Sequence, residues 1–344
     1  MSVSATDPTI AIVGASGLVG QEALSILASR GFPATRLTLY GSERSAGQRV
    51  EYCGITIEIR QLNRITEQPP EYALLCADAD TAKCCRSILS GTSTILIDNS
   101  SAYRLDESIP LVIPEVNGSL LECRPRFVAN PNCSTIMLLT AISPIHEVFG
   151  VRSISVTTYQ AVSGAGASGL EELHAQTRAR IDDQSQEPRI FPVSCAFDVF
   201  EHESAIDPAT GFNGEECKMI AESRKIWDEP GLRVLPTCVR VPVERAHAQA
   251  IMLELSRETS VEDLQEALRG APGVRLHAGD RPLTPAQIAG TDDVVVGRIR
   301  VDPDDARRAI LWVCCDQIRK GAALNALQIL DRLEDARSGS LALH

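Results

Sequence analysis

The chain has 344 residues, of which 44% are hydrophobic, 23% charged and 4% aromatic, and it carries a formal net charge of −12. That length exceeds one comfortable hydrophobic core, so two domains are expected. The acidic balance argues against a nucleic-acid or anionic-membrane surface, which need basic patches, while a few cations in a cleft would still suffice for a small anionic substrate.

The N-terminal "MSVSATDPT" lacks the basic and apolar regions of a signal peptide, and no uncharged apolar stretch approaches the length of a membrane span. Eleven cysteines without a repeated C-x-x-C spacing suit neither a disulfide framework nor a zinc site. The pairs Cys84–Cys85 and Cys314–Cys315 read as apolar packing within a helix and a strand. A reduced, cytoplasmic protein without a metal is expected.

The next stretch, "TIAIVGASGLVGQEALSILASRGF", reads as a buried strand, a glycine turn and a helix with one apolar face. Gly14, Gly17 and Gly20 would let the backbone turn sharply and bring a pyrophosphate to the helix N-terminus, where N–H groups point outward. The spacing is G-x-x-G-x-x-G, which alone also suits a tight turn without ligand. "RLTLYGS" is a second strand, ending in "YGSERSAG". An NAD site normally has an acid there for the ribose, whereas an NADP site has Arg and hydroxyls for the 2′-phosphate. Glu43 and Arg44 are both present; Ser42 and Ser45 flank them, which favours NADP. "YALLCA" and "TILIDNS" are further strands around the helical "DTAKCCRSILSG". Strands alternating with helices imply parallel crossovers and a Rossmann-like, doubly wound α/β domain.

Beyond about residue 130 the strands lengthen and alternate: "VRSISVTTYQAV", "RVLPTCVRVPVE", "AHAQAIMLELS" and "DVVVGRIRVDP" suit a sheet with one covered face. Helices are expected near 168–182, 214–226 and 260–269, and "QIRKGAALNALQILDRLE" is a last amphipathic helix. The expected organisation is a nucleotide-binding domain, 1–132 joined by a C-terminal helix from 319–344, and an α+β catalytic and dimerisation domain, 133–318.

Within "NPNCST", Cys133 begins a helix. A lone cysteine is usually packing, but a helix N-terminus stabilises a thiolate and offers N–H groups to an oxyanion. Candidate partners lie downstream. Gln160 ends a strand before a glycine-rich loop, Glu215 and Lys218 share one helix face, and "CVRVPVERAH" carries Arg240 and His247.

"GASGLVG", "SERSAG", "DNSSAYR", "PLVIPEVN", "NPNCST", "QAVSGAG", "EECKM", "RVPVERAH", "VGRIR" and "RKGAALNALQI" recur in order from about residue 9 to 333. Together they resemble aspartate-β-semialdehyde dehydrogenase. The resemblance implies reductive dephosphorylation of aspartyl phosphate with NADPH, giving aspartate semialdehyde, phosphate and NADP, by a homodimer. It implies Cys133 as thioester-forming nucleophile, His247 as acid/base and Gln160 as orienter of the acyl group. Arg240 would take the substrate α-carboxylate, Glu215 its ammonium, and Arg104 with Lys218 the phosphate, with Asn132 in the same shell. Gly14, Ser16, Gly17, Leu18, Val19, Ser42, Arg44, Ser45, Ser163, Gly164 and Gln317 would bind cofactor. N-acetyl-glutamyl-phosphate reductase shares this chemistry but has no use for Glu215; a glyceraldehyde-phosphate dehydrogenase needs no amino-acid contacts. A catalytically silent dimeric paralogue is the remaining alternative.

Some stretches depart from the family pattern. "CADAD" replaces Ser-Ala-Gly-Gly, Ala246 replaces a glycine, Ala-Gln follows His247 where Ser-Glu is usual, and Gln317 stands for Asn. In "CADAD", Asp80 is expected to cap the helix starting near Thr81 and Asp78 to face the cofactor pyrophosphate and weaken its binding.

Overall fold

The computed structural model describes residues 7–339. The chain forms two compact units, one built from the residues up to Pro131 together with those from Ala322 onward, the other Asn132–Gly321.

In the first unit β1 (Ile10–Val13) is wholly buried and runs through the glycine turn into α1 (Leu18–Ser29). Then come β2 (Leu37–Gly41) and a hairpin of β3 (Arg49–Tyr52) and β4 (Ile55–Gln61). The hairpin turns on Cys53 and Gly54, both at positive φ (49° and 78°), as the tight turns that match strand twist require. Next are β5 (Tyr72–Leu75), α2 (Ala79–Ile88), β6 (Ile95–Asp98), the short α3 (Pro114–Asn117) and β7 (Phe127–Ala129). The seven strands are ordered β3-β4-β2-β1-β5-β6-β7, parallel except for β3 against β4. Strand order reverses between β1 and β5, so the crevice at their carboxyl ends is the switch point where such sheets bind ligands.

One expectation fails at that crevice. α2 begins at Ala79, and its N-cap is Asp78, whose carboxylate accepts from the Thr81 N–H at 2.8 Å. Asp80 instead lies in the first helical turn, its side chain 93% exposed and paired with Lys83. The cap position needs an extended residue before the helix, and Asp78 (φ −74°, ψ 172°) supplies it.

The second unit opens with α4 (Cys133–Phe149), buried along most of its length. It continues through β8 (Val151–Gln160), α5 (Ala167–Ile181), the short β9 (Phe200–Glu201), α6 (Gly214–Ile226) and β10 (Arg233–Arg240). There follow β11 (His247–Leu255), α7 (Val261–Leu268), β12 (Val274–Leu276), α8 (Pro285–Ile288), β13 (Val294–Val301) and β14 (Arg308–Cys315). These strands form a mixed sheet, β12-β13-β14-β11-β8-β10-β9. α4, α6 and α7 cover one face; on the other, Leu235 and Met252 are half-exposed, at 50% and 47%.

The chain leaves this unit through a π-helical turn, Arg319–Ala323, and returns to the first unit as α9 (Leu324–Ser338). Sequence periodicity reads one helix from Gln317 onward; the structure delays it because Lys320 is fully buried and Gly321 sits hard against Cys133, where an added Cβ would lie 2.9 Å from the cysteine's own. Leu324, Leu327, Ile329, Leu330 and Leu333 of α9 share a core with Ile10, Ile12 and Leu24.

Candidate active site

The second unit gathers most of the candidate residues at one end of its sheet. Arg240 ends β10 opposite Gln160, which ends the parallel neighbour β8. On the other side of β8, Ala248 of β11 pairs with Tyr159, so His247 falls beside Gln160. Three adjacent strands thus present Arg240, Gln160 and His247 in a row, each at most 2% exposed.

The first turn of α4 lies against this row. Gln160 Nε2 donates to Ser134 Oγ at 3.1 Å, and Gln249 Nε2 donates to the Ser134 carbonyl at 2.9 Å. Asn132 caps the helix, its Oδ1 accepting from the Ser134 and Thr135 N–H groups at 2.9 and 3.3 Å. Cys133, the first helical residue, is partly exposed. Burial separates it from several other thiols: Cys76, Cys85 and Cys314 are pushed up to about 12 and Cys195 to about 11, with Cys238 and Cys315 raised as well.

α6 brings carboxylates to the same place. Glu215 Oε1 accepts from Asn132 Nδ2 at 2.8 Å and from Gln160 Nε2 at 3.3 Å, while Lys218 Nζ lies 3.2 Å from Oε2. Burial opposes ionisation of Glu215, but Lys218 and these donors outweigh it and hold the carboxyl at about 2. The Lys218 side chain is 39% exposed and Glu215 only 5%. One α6 residue escaped the sequence reading: buried Glu222 accepts from the Asn132 backbone N–H at 2.6 Å. Its spacing, two turns beyond Glu215, is the signal that could have found it.

His247 accepts at Nδ1 from the Ala161 N–H at 3.0 Å; its Nε2 is buried with no hydrogen-bond partner. Burial, then the Arg240 charge, lowers the imidazole to about 3. The residue before it, Ala246, sits at φ 70°, left-handed backbone that explains why glycine is usual there. Gln317 holds that turn: its Oε1 accepts from the Ala246 N–H at 2.8 Å and its Nε2 donates to Ser163 Oγ at 2.8 Å. Next to Ser163, Gly164 leaves little room for a side chain, since a Cβ would lie a tight 3.1 Å from Arg240 Nη1 and in contact with His247 Nε2 at 3.7 Å. Arg240 itself has partners the sequence reading missed. Glu203 accepts from its Nε and Nη2, His202 Nε2 accepts from Nη2, and the Ala161 carbonyl accepts from Nη1 at 2.9 Å.

The remaining candidates belong to the first unit. Side chains at Gly14 and Gly20 would collide with the carbonyl oxygens of Cys76 and Gly14, and Gly14 lies at φ 84°. No side chain caps α1, so the N–H groups of its first turn, at Leu18 and Val19, stand open beside exposed Ser16 and Gly17. A cradle without side chains at a bare helix N-terminus fits a dinucleotide pyrophosphate. Past β2, Ser42 and Arg44 are exposed, whereas Ser45 is buried and its hydroxyl donates to the Ser42 carbonyl at 3.2 Å. Arg104 is nearly buried; its Nε donates to the Asn130 carbonyl at 2.9 Å and its Nη2 to the Asn99 carbonyl at 2.8 Å.

Residues 9–122 match a family model described as "Semialdehyde dehydrogenase, NAD binding domain", and residues 142–320 one described as "Semialdehyde dehydrogenase, dimerisation domain". Aspartate-semialdehyde dehydrogenase of Synechocystis is 41% identical over 94% of this chain and 96% of its own length. That of Bacillus subtilis is 39% identical over 94% and 97%. The chain belongs to the aspartate-semialdehyde dehydrogenase family. Among solved structures, aspartate semialdehyde dehydrogenase II of Vibrio cholerae complexed with ASA has a TM-score of 0.91 at 36% identity, covering 96% of this chain and 99% of that one. A probable aspartate-semialdehyde dehydrogenase of Pseudomonas aeruginosa has a TM-score of 0.87 at 27% identity, covering 95% and 99%.

As in the family at large, the first unit is a Rossmann-like domain for a nicotinamide cofactor and the second a dimerisation-type domain. Among the described residues no group of His, Cys, Asp and Glu could hold a metal, and no helix is long and apolar enough to cross a membrane.

Proposed function

We propose that this aspartate-semialdehyde dehydrogenase family member converts L-aspartyl 4-phosphate to L-aspartate 4-semialdehyde through a thioester on Cys133, with NADPH as reductant. The observation that carries the reading is that Gln160, which lies beside buried His247 with its unpartnered Nε2, donates to Ser134 Oγ in the first turn of the helix that Cys133 begins.

Cys133 thiolate attacks the acyl phosphate carbon; the C–O bond to phosphate breaks, and the thioester and free phosphate result. The helix N-terminus favours the thiolate by about 0.3–1 kcal/mol or more. Bound nicotinamide supplies the hydride that reduces the thioester carbonyl. His247, neutral with its proton on Nε2, protonates the resulting oxyanion and can take the proton back as the C–S bond breaks, so that thiolate and aldehyde leave together. Gln160, fixed between Ser134 and Glu215, orients the acyl group. Glu215, ionised and buried, faces the substrate ammonium; Arg240 takes the α-carboxylate and Lys218 the phosphate. Asn132 positions Glu215 and the helix start.

Exposed Arg44 and Ser42 support NADP over NAD through the 2′-phosphate. The dimerisation-type domain, with half-exposed Leu235 and Met252 on its open sheet face, supports a homodimer. The deciding assay mixes aspartate semialdehyde, phosphate and NADP and follows reduced-cofactor absorbance. Phosphate-dependent reduction is expected, with no turnover of N-acetylglutamate semialdehyde. Absence of turnover, or preference for the acetylated aldehyde, would overturn the reading.

A further inference from the structure

Arg240 is 2% exposed and its guanidinium is already engaged. Glu203 grips the fork in bidentate fashion, Oε2 accepting from Nε at 3.3 Å and Oε1 from Nη2 at 2.6 Å. His202 Nε2 accepts from Nη2 at 3.0 Å, and the Ala161 carbonyl takes Nη1. Phe191 lies under the guanidinium, 5.5 Å from ring centroid to Cζ. A carboxylate arriving from outside therefore meets a guanidinium whose Nε/Nη2 edge another carboxylate holds and whose Nη1/Nη2 edge is engaged by the Ala161 carbonyl and His202, so neither two-point edge is free to receive it.

The two partners are not equally fixed. Arg240 ends β10, which is paired along its whole length with β8, and is braced by the Ala161 carbonyl, whereas Glu203 lies in the irregular segment between β9 and α6 and its side chain is 22% exposed. Beside it opens a cavity of about 850 Å³, lined by Val199, His202, Glu203, Ser204 and Ile206 among others. Glu203 has somewhere to go; Arg240 does not.

We propose that Glu203 is an internal occupant of the Arg240 fork which the substrate α-carboxylate must displace, turning outward into the adjoining cavity, so that Glu203 sets how tightly carboxylate-bearing aldehydes bind. This rests on Arg240 being the α-carboxylate site. The displacement is an exchange of one carboxylate for another on the same guanidinium, with no covalent step. It penalises binding of the carboxylate group only, and leaves the Cys133 and His247 chemistry untouched.

The test compares KM for L-aspartate 4-semialdehyde and for 3-aminopropanal, which keeps the amine and aldehyde but lacks the carboxylate. Glu203→Gln removes the competing charge while keeping the side chain's length. It is expected to lower KM for aspartate semialdehyde about three- to tenfold, as release of a charged competitor should, with kcat and the KM for 3-aminopropanal within about twofold. Glu203→Asp, which retracts the carboxylate by one methylene and is the milder change to the fold, should give a smaller drop in the same direction. Unchanged or raised KM for aspartate semialdehyde in Glu203→Asp, or in a folded Glu203→Gln, overturns the proposal and makes Glu203 a brace for Arg240. Failure of the underlying assignment looks different: in Arg240→Met the KM values for the two aldehydes would rise together, because Arg240 would not be reading the carboxylate.

Discussion

The Ala161 N–H donates to His247 Nδ1 across 3.0 Å, and this one bond decides which ring nitrogen carries the proton. With Nδ1 accepting, a neutral ring is protonated at Nε2, the atom left without a partner in the structure. Burial and the Arg240 charge lower the imidazole from 6.5 to about 3. The folded value lies below the unfolded one, so between these pH values the unfolded chain binds a proton that the folded chain does not. The stability contributed by the neutral ring is complete above about pH 6.5, shrinks as pH falls, and is lost once pH has passed below about 3. Thermal midpoints measured from pH 6.5 to 4.5 should therefore fall in the wild type and fall less in His247→Asn. His202, also lowered by burial, is common to both proteins and cancels in the difference. Parallel slopes would show that His247 is not held neutral.

Cys133→Ser should fold, with an unchanged melting profile, and lose turnover by more than about a thousandfold, since a hydroxyl is a poor substitute for a thiolate nucleophile and leaving group. A thiolate at a helix start should alkylate fast, but Cys53, Cys84 and Cys123 are exposed and would take label too. The clean experiment therefore uses the triple Ser variant at those three positions, which should retain activity and lose it to iodoacetamide as one label appears on the peptide carrying Cys133. Inactivation without that label would refute the assignment.

Arg44 stands exposed after β2, while Ser45 has turned its hydroxyl inward. Loss of one charge-assisted contact to a 2′-phosphate costs about 1.5–3 kcal/mol, or roughly ten- to a hundredfold in affinity. Arg44→Ala should weaken NADPH by that factor and NADH hardly at all. Equal losses for both cofactors would mean that Arg44 does not read the 2′-phosphate.

Asp78 rather than Asp80 caps α2, so the stability cost moves with it. Asp78→Ala should lose about 1 kcal/mol of stability and Asp78→Gly a few tenths. Asp80→Ala, which breaks only an exposed pair with Lys83, should change little. Denaturant midpoints decide this; a larger loss at Asp80 would contradict the cap.

The parts of the fold written in local chemistry were legible. The glycine turn announced itself because Gly14 and Gly20 meet backbone where no side chain fits, and α4 because Asn-Pro-Asn supplies a cap before an apolar run. Less visible was whatever depends on register between distant strands. That Arg240, Gln160 and His247 stand abreast follows from β10 and β8 ending where the antiparallel β11 begins, which no local pattern encodes. Glu203 and Glu222 were missed for the same reason: an acid in a loop or on a helix reads as solvated until its partner is known. The hairpin of β3 and β4 passed unnoticed because its strands are largely exposed and lack a continuous apolar face.

The return of α9 to the first unit bears on the order in which a growing chain can fold. Residues up to Pro131 are made before Asn132–Gly321, yet part of their core arrives only with Leu324, Leu327 and Ile329, after that whole unit has been made. Asn132–Gly321 is continuous and can close as soon as it emerges, so the later-made unit is expected to complete its structure before the earlier one. A chain stopped after Gly321 would then give a protease-resistant fragment spanning Asn132–Gly321 while the preceding strands are digested, and resistance of the N-terminal fragment instead would show that β1 to β7 hold together without their last helix.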